Sequence, residues 1–128
     1  MATILVVDDD PHPRQLYQEY LSDMGYTTLV AASGPEAIEI VRAAPVDVVV
    51  LDMAMPGMDG VEVLNKILDM NNKLPVILNT AYGSYKDDFM TWAAEAYVTK
   101  SGNLLELRTQ IEDALKKRGI EVPSPPQV

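Results

Sequence analysis

The sequence contains no cysteine. A disulfide scaffold, a thiolate zinc cluster and a cysteine nucleophile are therefore excluded together. It has one histidine, His12, which cannot build a metal site alone and reads as a first-turn surface residue, not a catalytic base. Basic residues are few: ten Lys and Arg stand against nineteen Asp and Glu, a formal charge of −9. The cationic face that grips nucleic acid is missing, so no direct nucleic-acid binding is expected and cations are favoured over anions as partners. No run of about eighteen apolar residues occurs, and Met1 to Val7 carries no basic leader region. No membrane association is expected, and the chain reads as soluble and cytoplasmic.

What is present suffices for one core. With 128 residues, 48% hydrophobic and 23% charged, the chain has one domain's worth of sequence and enough apolar side chain to fold without staples. Ile4 to Val7 and Val46 to Leu51 are continuous apolar runs closed by Asp8 and Asp52, as strands buried on both faces should be. Shorter runs at Thr27 to Val30, Val76 to Leu78 and Ala96 to Thr99 complete five candidate strands. The segments between them have helical period. Leu16, Tyr17, Tyr20, Leu21 and Met24 form a stripe after Pro11 and Pro13, and Gly25 ends that helix. Ser33 and Glu36 have capping-box spacing ahead of Ala37, Ile38 and Val41, and Pro45 closes the helix. Asp59 is placed to cap a third helix carrying Val61, Leu64, Ile67 and Leu68. A fourth helix is expected from Ser84 or Tyr85 to Ala94, with Phe89 and Trp92 as core residues first, and a last one carries Leu104, Leu107, Ile111 and Leu115 before Lys116, Lys117 and Arg118.

Alternating β and α segments of this length imply parallel strands joined by right-handed crossovers, with helices on both faces. The expected fold is α/β, a doubly wound five-stranded parallel sheet of order 2-1-3-4-5, flavodoxin-like (βα)5. The most apolar runs are central, and the Thr-containing second and short fifth runs lie at the edges. The domain is expected over residues 1–118, with residues 119–128, including Val122-Pro123-Ser124-Pro125-Pro126, as a flexible Pro-rich tail or linker stub.

In such a sheet, ligands gather beyond the carboxyl ends of the strands where strand order reverses, here between the first and third. Asp8 and Asp9 end the first strand, Asp52 ends the third, Thr80 follows the fourth and Lys100 follows the fifth. Two carboxylates about 4 Å apart repel by roughly 4 kcal/mol at an effective dielectric of about 20, so the cluster persists only with a cation or proton in it. Oxygen ligands without His or Cys select Mg²⁺ or a similar hard ion.

The stretches Leu5-Val6-Val7-Asp8-Asp9-Asp10, Leu51-Asp52-Met53-Ala54-Met55-Pro56-Gly57-Met58-Asp59-Gly60, Asn79-Thr80-Ala81-Tyr82-Gly83 and Tyr97-Val98-Thr99-Lys100 resemble the motifs of response-regulator receiver domains. The resemblance covers Ala2 to about Arg118 and keeps the family's order of motifs. It implies that Asp52 accepts a phosphoryl group from a phosphohistidine of a histidine kinase or histidine phosphotransfer protein. It further implies that Asp9, Asp52 and the Ala54 carbonyl ligate Mg²⁺ directly, with Asp8 acting through water, while Lys100 and the Thr80 hydroxyl meet the phosphoryl oxygens. Such a chain is a phosphoacceptor with self-catalysed transfer and dephosphorylation, not an enzyme with a separate substrate. Thr80 moving inward vacates space that Tyr97 is placed to enter. The face made by Tyr85 to Ala94, the fifth strand and the last helix then becomes the surface that an effector or a homodimer mate reads.

Some positions depart from the family's pattern. Ser101 follows Lys100 where the family usually has proline, so the Lys100 loop is expected to differ in shape. Ala54 offers no side chain to orient a hydrolytic water, and Tyr82 is placed to screen one. Met53, Met55 and Met58 read as gap fillers, and Gly57 and Gly60 as turn glycines. Two alternatives stand beside the signalling reading: a small Mg²⁺-dependent phosphohydrolase on the same fold, and a constitutive docking module. A haloacid-dehalogenase-like phosphatase wants a second acid two residues after its nucleophile, where this chain has Ala54. Docking modules commonly lose the acid pair, the lysine or the phosphoacceptor, and this chain keeps all of them. A flavin site would need phosphate-binding amides where Asp8-Asp9-Asp10-Pro11 stands.

Overall fold

Side-chain alternation along the strands divides the apolar residues between two layers. In the computed structural model, which describes residues 2–53, 60–80, 94–99 and 104–123, the chain order is β1 (Thr3–Val7), α1 (Pro11–Asp23), β2 (Thr27–Ala31), α2 (Gly34–Ala43), β3 (Val48–Leu51), α3 (Gly60–Met70), β4 (Val76–Thr80), β5 (Ala96–Thr99) and α4 (Leu104–Lys117). The strands form one five-stranded sheet of order β2-β1-β3-β4-β5, with every neighbouring pair parallel. The expected topology and edge strands are those observed. The expected fourth helix lies outside the described residues over 84–93, so α4 is the chain's expected last helix.

Ile4, Val6, Val48, Val50, Ile77 and Val98 point to one face and pack with Tyr17 and Leu21 of α1 and Leu107, Ile111 and Leu115 of α4. Leu5, Val7, Val49, Leu51, Val76 and Leu78 point to the other, against Ala37 of α2 and Val63, Leu64 and Ile67 of α3. Leu16 departs from the expected stripe, being half exposed. It sits about 100° around the helix from Tyr17, outside the arc that faces the sheet. Ser33 caps α2 by accepting the Glu36 N–H at 3.3 Å, and Glu36 Oε2 accepts the Ala32 N–H at 3.4 Å. Beneath the sheet, burial pushes the Tyr26 phenol up to about 12, helped by the Glu112 carboxylate.

The sequence reading ends the domain at residue 118, but the chain stays packed beyond it. Gly119 takes the left-handed conformation (φ 71°), and the Ile120 N–H donates back to the Leu115 carbonyl at 2.9 Å. Ile120 and Val122 pack against the α1/α4 layer. Pro123 lies so close to Gly25 (φ 101°) that a Cβ there would sit 2.9 Å from the proline ring. Arg118 Nη1 donates to the Asp47 carbonyl at 2.9 Å. Residues 119–123 therefore strap the amino ends of the strands. Replacing Ile120 and Val122 together by Ala is expected to cost about 2 kcal/mol in urea unfolding, because both side chains are only partly buried. A loose tail would give no change.

Candidate functional site

The ladders of β1 and β3 place the acids. Val7 pairs with Leu51, the last residue of β3, so the residues that follow each strand emerge side by side. The Asp52 N–H donates to the Val7 carbonyl at 3.0 Å, and the Asp8 N–H donates to the Ala31 carbonyl at 3.1 Å. Both aspartates thereby extend the sheet's hydrogen bonding by one residue, and their carboxylates inherit its rigidity. Asp8 is 1% and Asp52 4% exposed, while Asp9 is exposed. One carboxylate oxygen from each of Asp8, Asp9 and Asp52 lies within 4.8 Å of the others. The sequence reading brought these three residues together, and so does the structure.

The Asp8–Asp10 turn has its own bonding. Asp8 Oδ1 accepts the Asp10 N–H at 3.0 Å, and Asp10 Oδ1 accepts the His12 N–H at 3.0 Å, which makes Asp10 the N-cap of α1. Pro11 follows in the first turn, where its missing N–H costs nothing. His12 is exposed and takes part through its backbone. Arg14 Nη1 donates to the Asp8 carbonyl at 3.0 Å, a contact that sequence reasoning missed. The only available signal was an arginine six residues after the acid, and nothing in its spacing showed which way it would turn.

On the far side of Asp52, Met53 is buried. Gly60 opens α3 directly against it: a Cβ on Gly60 would lie 2.7 Å from Met53 Cα and 2.9 Å from its carbonyl oxygen. Gly60 is thus a helix-start residue needed for close approach, rather than the turn glycine expected. Leu51 pairs with Leu78, so β4 runs two residues past the end of β3 and Thr80 is its last residue instead of following it. Thr80 pairs with Thr99 at the end of β5, and Tyr97 lies on β5. Lys100, Ala54, Tyr82, Met55, Met58, Gly57, Asp59, Phe89, Trp92 and Ser101 lie outside the described residues.

Three carboxylates with no nitrogen or sulfur donor, two of them buried on rigid strand ends, form an oxygen-only set suited to a hard divalent cation such as Mg²⁺. A groove of about 720 Å³ along α1, lined by Pro11, Arg14, Gln18 and Ser22 among others, lies beside edge strand β2 and does not contain the acid cluster. Among the described residues no helix is long and apolar enough to cross a membrane.

Comparison with known proteins agrees with this geometry. Residues 4–112 match the family described as response regulator receiver domain. The chain is 37% identical to sporulation initiation phosphotransferase F of Bacillus subtilis over 116 residues, which is 89% of this chain and 90% of that protein. It is 35% identical to the probable transcriptional regulatory protein TcrX of Mycobacterium tuberculosis, covering 93% of this chain and 52% of that protein. The chain thus spans about half the length of the transcriptional regulators it matches. Among solved structures it is similar to the response regulator TrrA of Thermotoga maritima in complex with Mg²⁺-BeF, with a TM-score of 0.86 and 41% identity over 90% of this chain and 100% of that one. TrrA in complex with the histidine kinase ThkA matches with a TM-score of 0.84 and the same identity, over 90% of this chain and 99% of that one.

Proposed function

This chain belongs to the response regulator receiver family, and from that premise we propose that Asp52 is its phosphoacceptor. The observation that carries the assignment is the convergence of Asp8, Asp9 and Asp52 within 4.8 Å at the ends of the two central strands. The donor is a phosphohistidine of a histidine kinase or histidine phosphotransfer protein, as the kinase complex of TrrA suggests. An Asp52 carboxylate oxygen attacks phosphorus, and the P–N bond breaks with its electron pair passing to the imidazole nitrogen. Hydrolysis of the acyl phosphate later restores the carboxylate.

Asp52 is suited to this role because its backbone is bound to β1 and its side chain cannot wander. Holding the nucleophile still removes orientational entropy from the barrier. Asp9 and Asp52 are the side chains that would hold Mg²⁺ directly, together with the Ala54 carbonyl, and Asp8 would hold it through water. When bound, that ion offsets the carboxylates' mutual repulsion and the charge of the phosphoryl oxygens. Lys100 supplies a fixed cation and Thr80 a hydroxyl to those oxygens. Once Thr80 has a partner present only in the phosphorylated state, Tyr97 follows, and the face including β5 and α4 switches for a cytoplasmic effector or a homodimer mate. Nucleic acid is not bound by this segment, whose charge is −9.

Incubation with acetyl phosphate and Mg²⁺ followed by intact-mass analysis tests the assignment. One phosphoryl adduct is expected, absent with chelator and in Asp52→Asn. An adduct that persists in Asp52→Asn places the acceptor elsewhere.

A further inference from the structure

Asp9 poses a physical problem. It is exposed, yet its carboxylate comes within 4.8 Å of those of Asp8 and Asp52. Among the described residues no side-chain hydrogen bond or ion pair holds the Asp9 carboxylate, an exposed group gains little from packing, and like charges push it outward. Its approach then depends on the backbone that carries it. The carbonyl of Asp8 and the N–H of Asp9 share one rigid peptide plane, so fixing that carbonyl fixes the direction in which the chain enters Asp9. Arg14 Nη1 donates to this carbonyl at 3.0 Å. The Arg14 backbone N–H also donates to the Asp10 carbonyl at 3.3 Å, so one residue grips the turn on both sides of Asp9. The bond from a guanidinium to a carbonyl is charge-assisted.

We propose that Arg14 is a positioning residue for the Mg²⁺ site: it holds the peptide plane between Asp8 and Asp9 so that the exposed Asp9 carboxylate stays on the cluster. The proposal rests on the reading of Asp8, Asp9 and Asp52 as the Mg²⁺ ligands, and it concerns affinity rather than the chemical step. Groups that hold a metal ligand without touching the metal are typically worth about 10- to 100-fold in affinity. Arg14 acts through one hydrogen bond to a backbone oxygen, which places it at the lower end of that range.

Mg²⁺ titration by calorimetry, with the ¹⁵N shift of the Asp10 amide as a second readout, tests this well below the melting temperature. Arg14→Met, which keeps the aliphatic stem, is expected to weaken Mg²⁺ binding roughly tenfold and to shift the Asp10 amide. Phosphorylation of that variant by acetyl phosphate recovers at high Mg²⁺. Arg14→Lys, which retains charge and a donor, is expected to stay within about threefold of wild type, and Gln15→Ala on the exposed side of α1 to match it. Unchanged affinity in Arg14→Met, with binding lost in Asp9→Ala, overturns the proposal while leaving the metal site standing. A lowered melting temperature without an affinity change overturns it too, by marking Arg14 as structural only. Absence of Mg²⁺ binding by the wild type removes both the proposal and the reading beneath it.

Discussion

Asp52→Asn is expected to be more stable than the wild type when Mg²⁺ is absent and to gain less from Mg²⁺ when it is present. Each pair of carboxylates in the cluster approaches within 4.8 Å, and repulsion at that range is about 3 kcal/mol per pair at an effective dielectric of about 20. The amide removes Asp52 from two such pairs while keeping its shape. Solvent screening at the exposed Asp9 and the loss of the Asp52 carboxylate's own favourable interactions absorb part of the gain, so a net rise of about 1 to 2 kcal/mol is expected in the chelated protein. The wild type recovers the difference by mass action, gaining about 2.7 kcal/mol when Mg²⁺ stands at about 100 times its dissociation constant. Thermal melts of both proteins with chelator and across a Mg²⁺ series measure this directly. Wild type and Asp52→Asn melting alike in chelator, with equal responses to Mg²⁺, would remove electrostatic strain from the account of the site.

The second large effect is expected at Gly60. Alanine is the better helix former by about 1 kcal/mol, so propensity alone predicts that Gly60→Ala stabilises α3. The structure predicts the opposite. The new Cβ would lie 2.7 Å from Met53 Cα and 2.9 Å from Met53 O, and these are backbone atoms that cannot swing aside as a side-chain tip would. Overpacking of this kind typically costs about 1 to 3 kcal/mol, and here it exceeds the helical gain. A net loss of about 1 to 2 kcal/mol in urea unfolding is expected for Ala and a larger one for Val. Met53 directly follows Asp52, so relief of the clash moves the acceptor, and the rate of adduct formation should fall along with stability. Gly60→Ala as stable as wild type, with an unchanged rate, would mean that the helix start shifts at no cost.

Much of this was legible in the sequence because a strand end carries its position with it. Ile4 to Val7 and the apolar run before Asp52 read as adjacent parallel strands, and on such strands Asp8, Asp9 and Asp52 have to share a rim. The capping pair Ser33 and Glu36 and the apolar faces of α2 and α4 were legible for the same reason: local periodicity and spacing record which way neighbouring residues point. Leu16 shows where that record ends, since it fits the helical stripe by type yet lies around the helix from Tyr17 and faces solvent.

What the tertiary structure alone decided is how separate elements meet. The Arg14 guanidinium reaches the Asp8 carbonyl only because the turn through Asp10 folds back over the first turn of α1. Gly60 must be glycine because the start of α3 comes down on Met53. Ile120 and Val122 pack against the core because Gly119 turns left-handed and returns the chain toward Gly25. Composition around Pro123 signals an extended segment, but whether such a segment lies free or packed depends on the surface it meets. Hydrophobic period and strand-end chemistry are local and survive in the sequence. Close approach between backbones, and the reach of a long side chain to a distant carbonyl, exist only once the elements are packed.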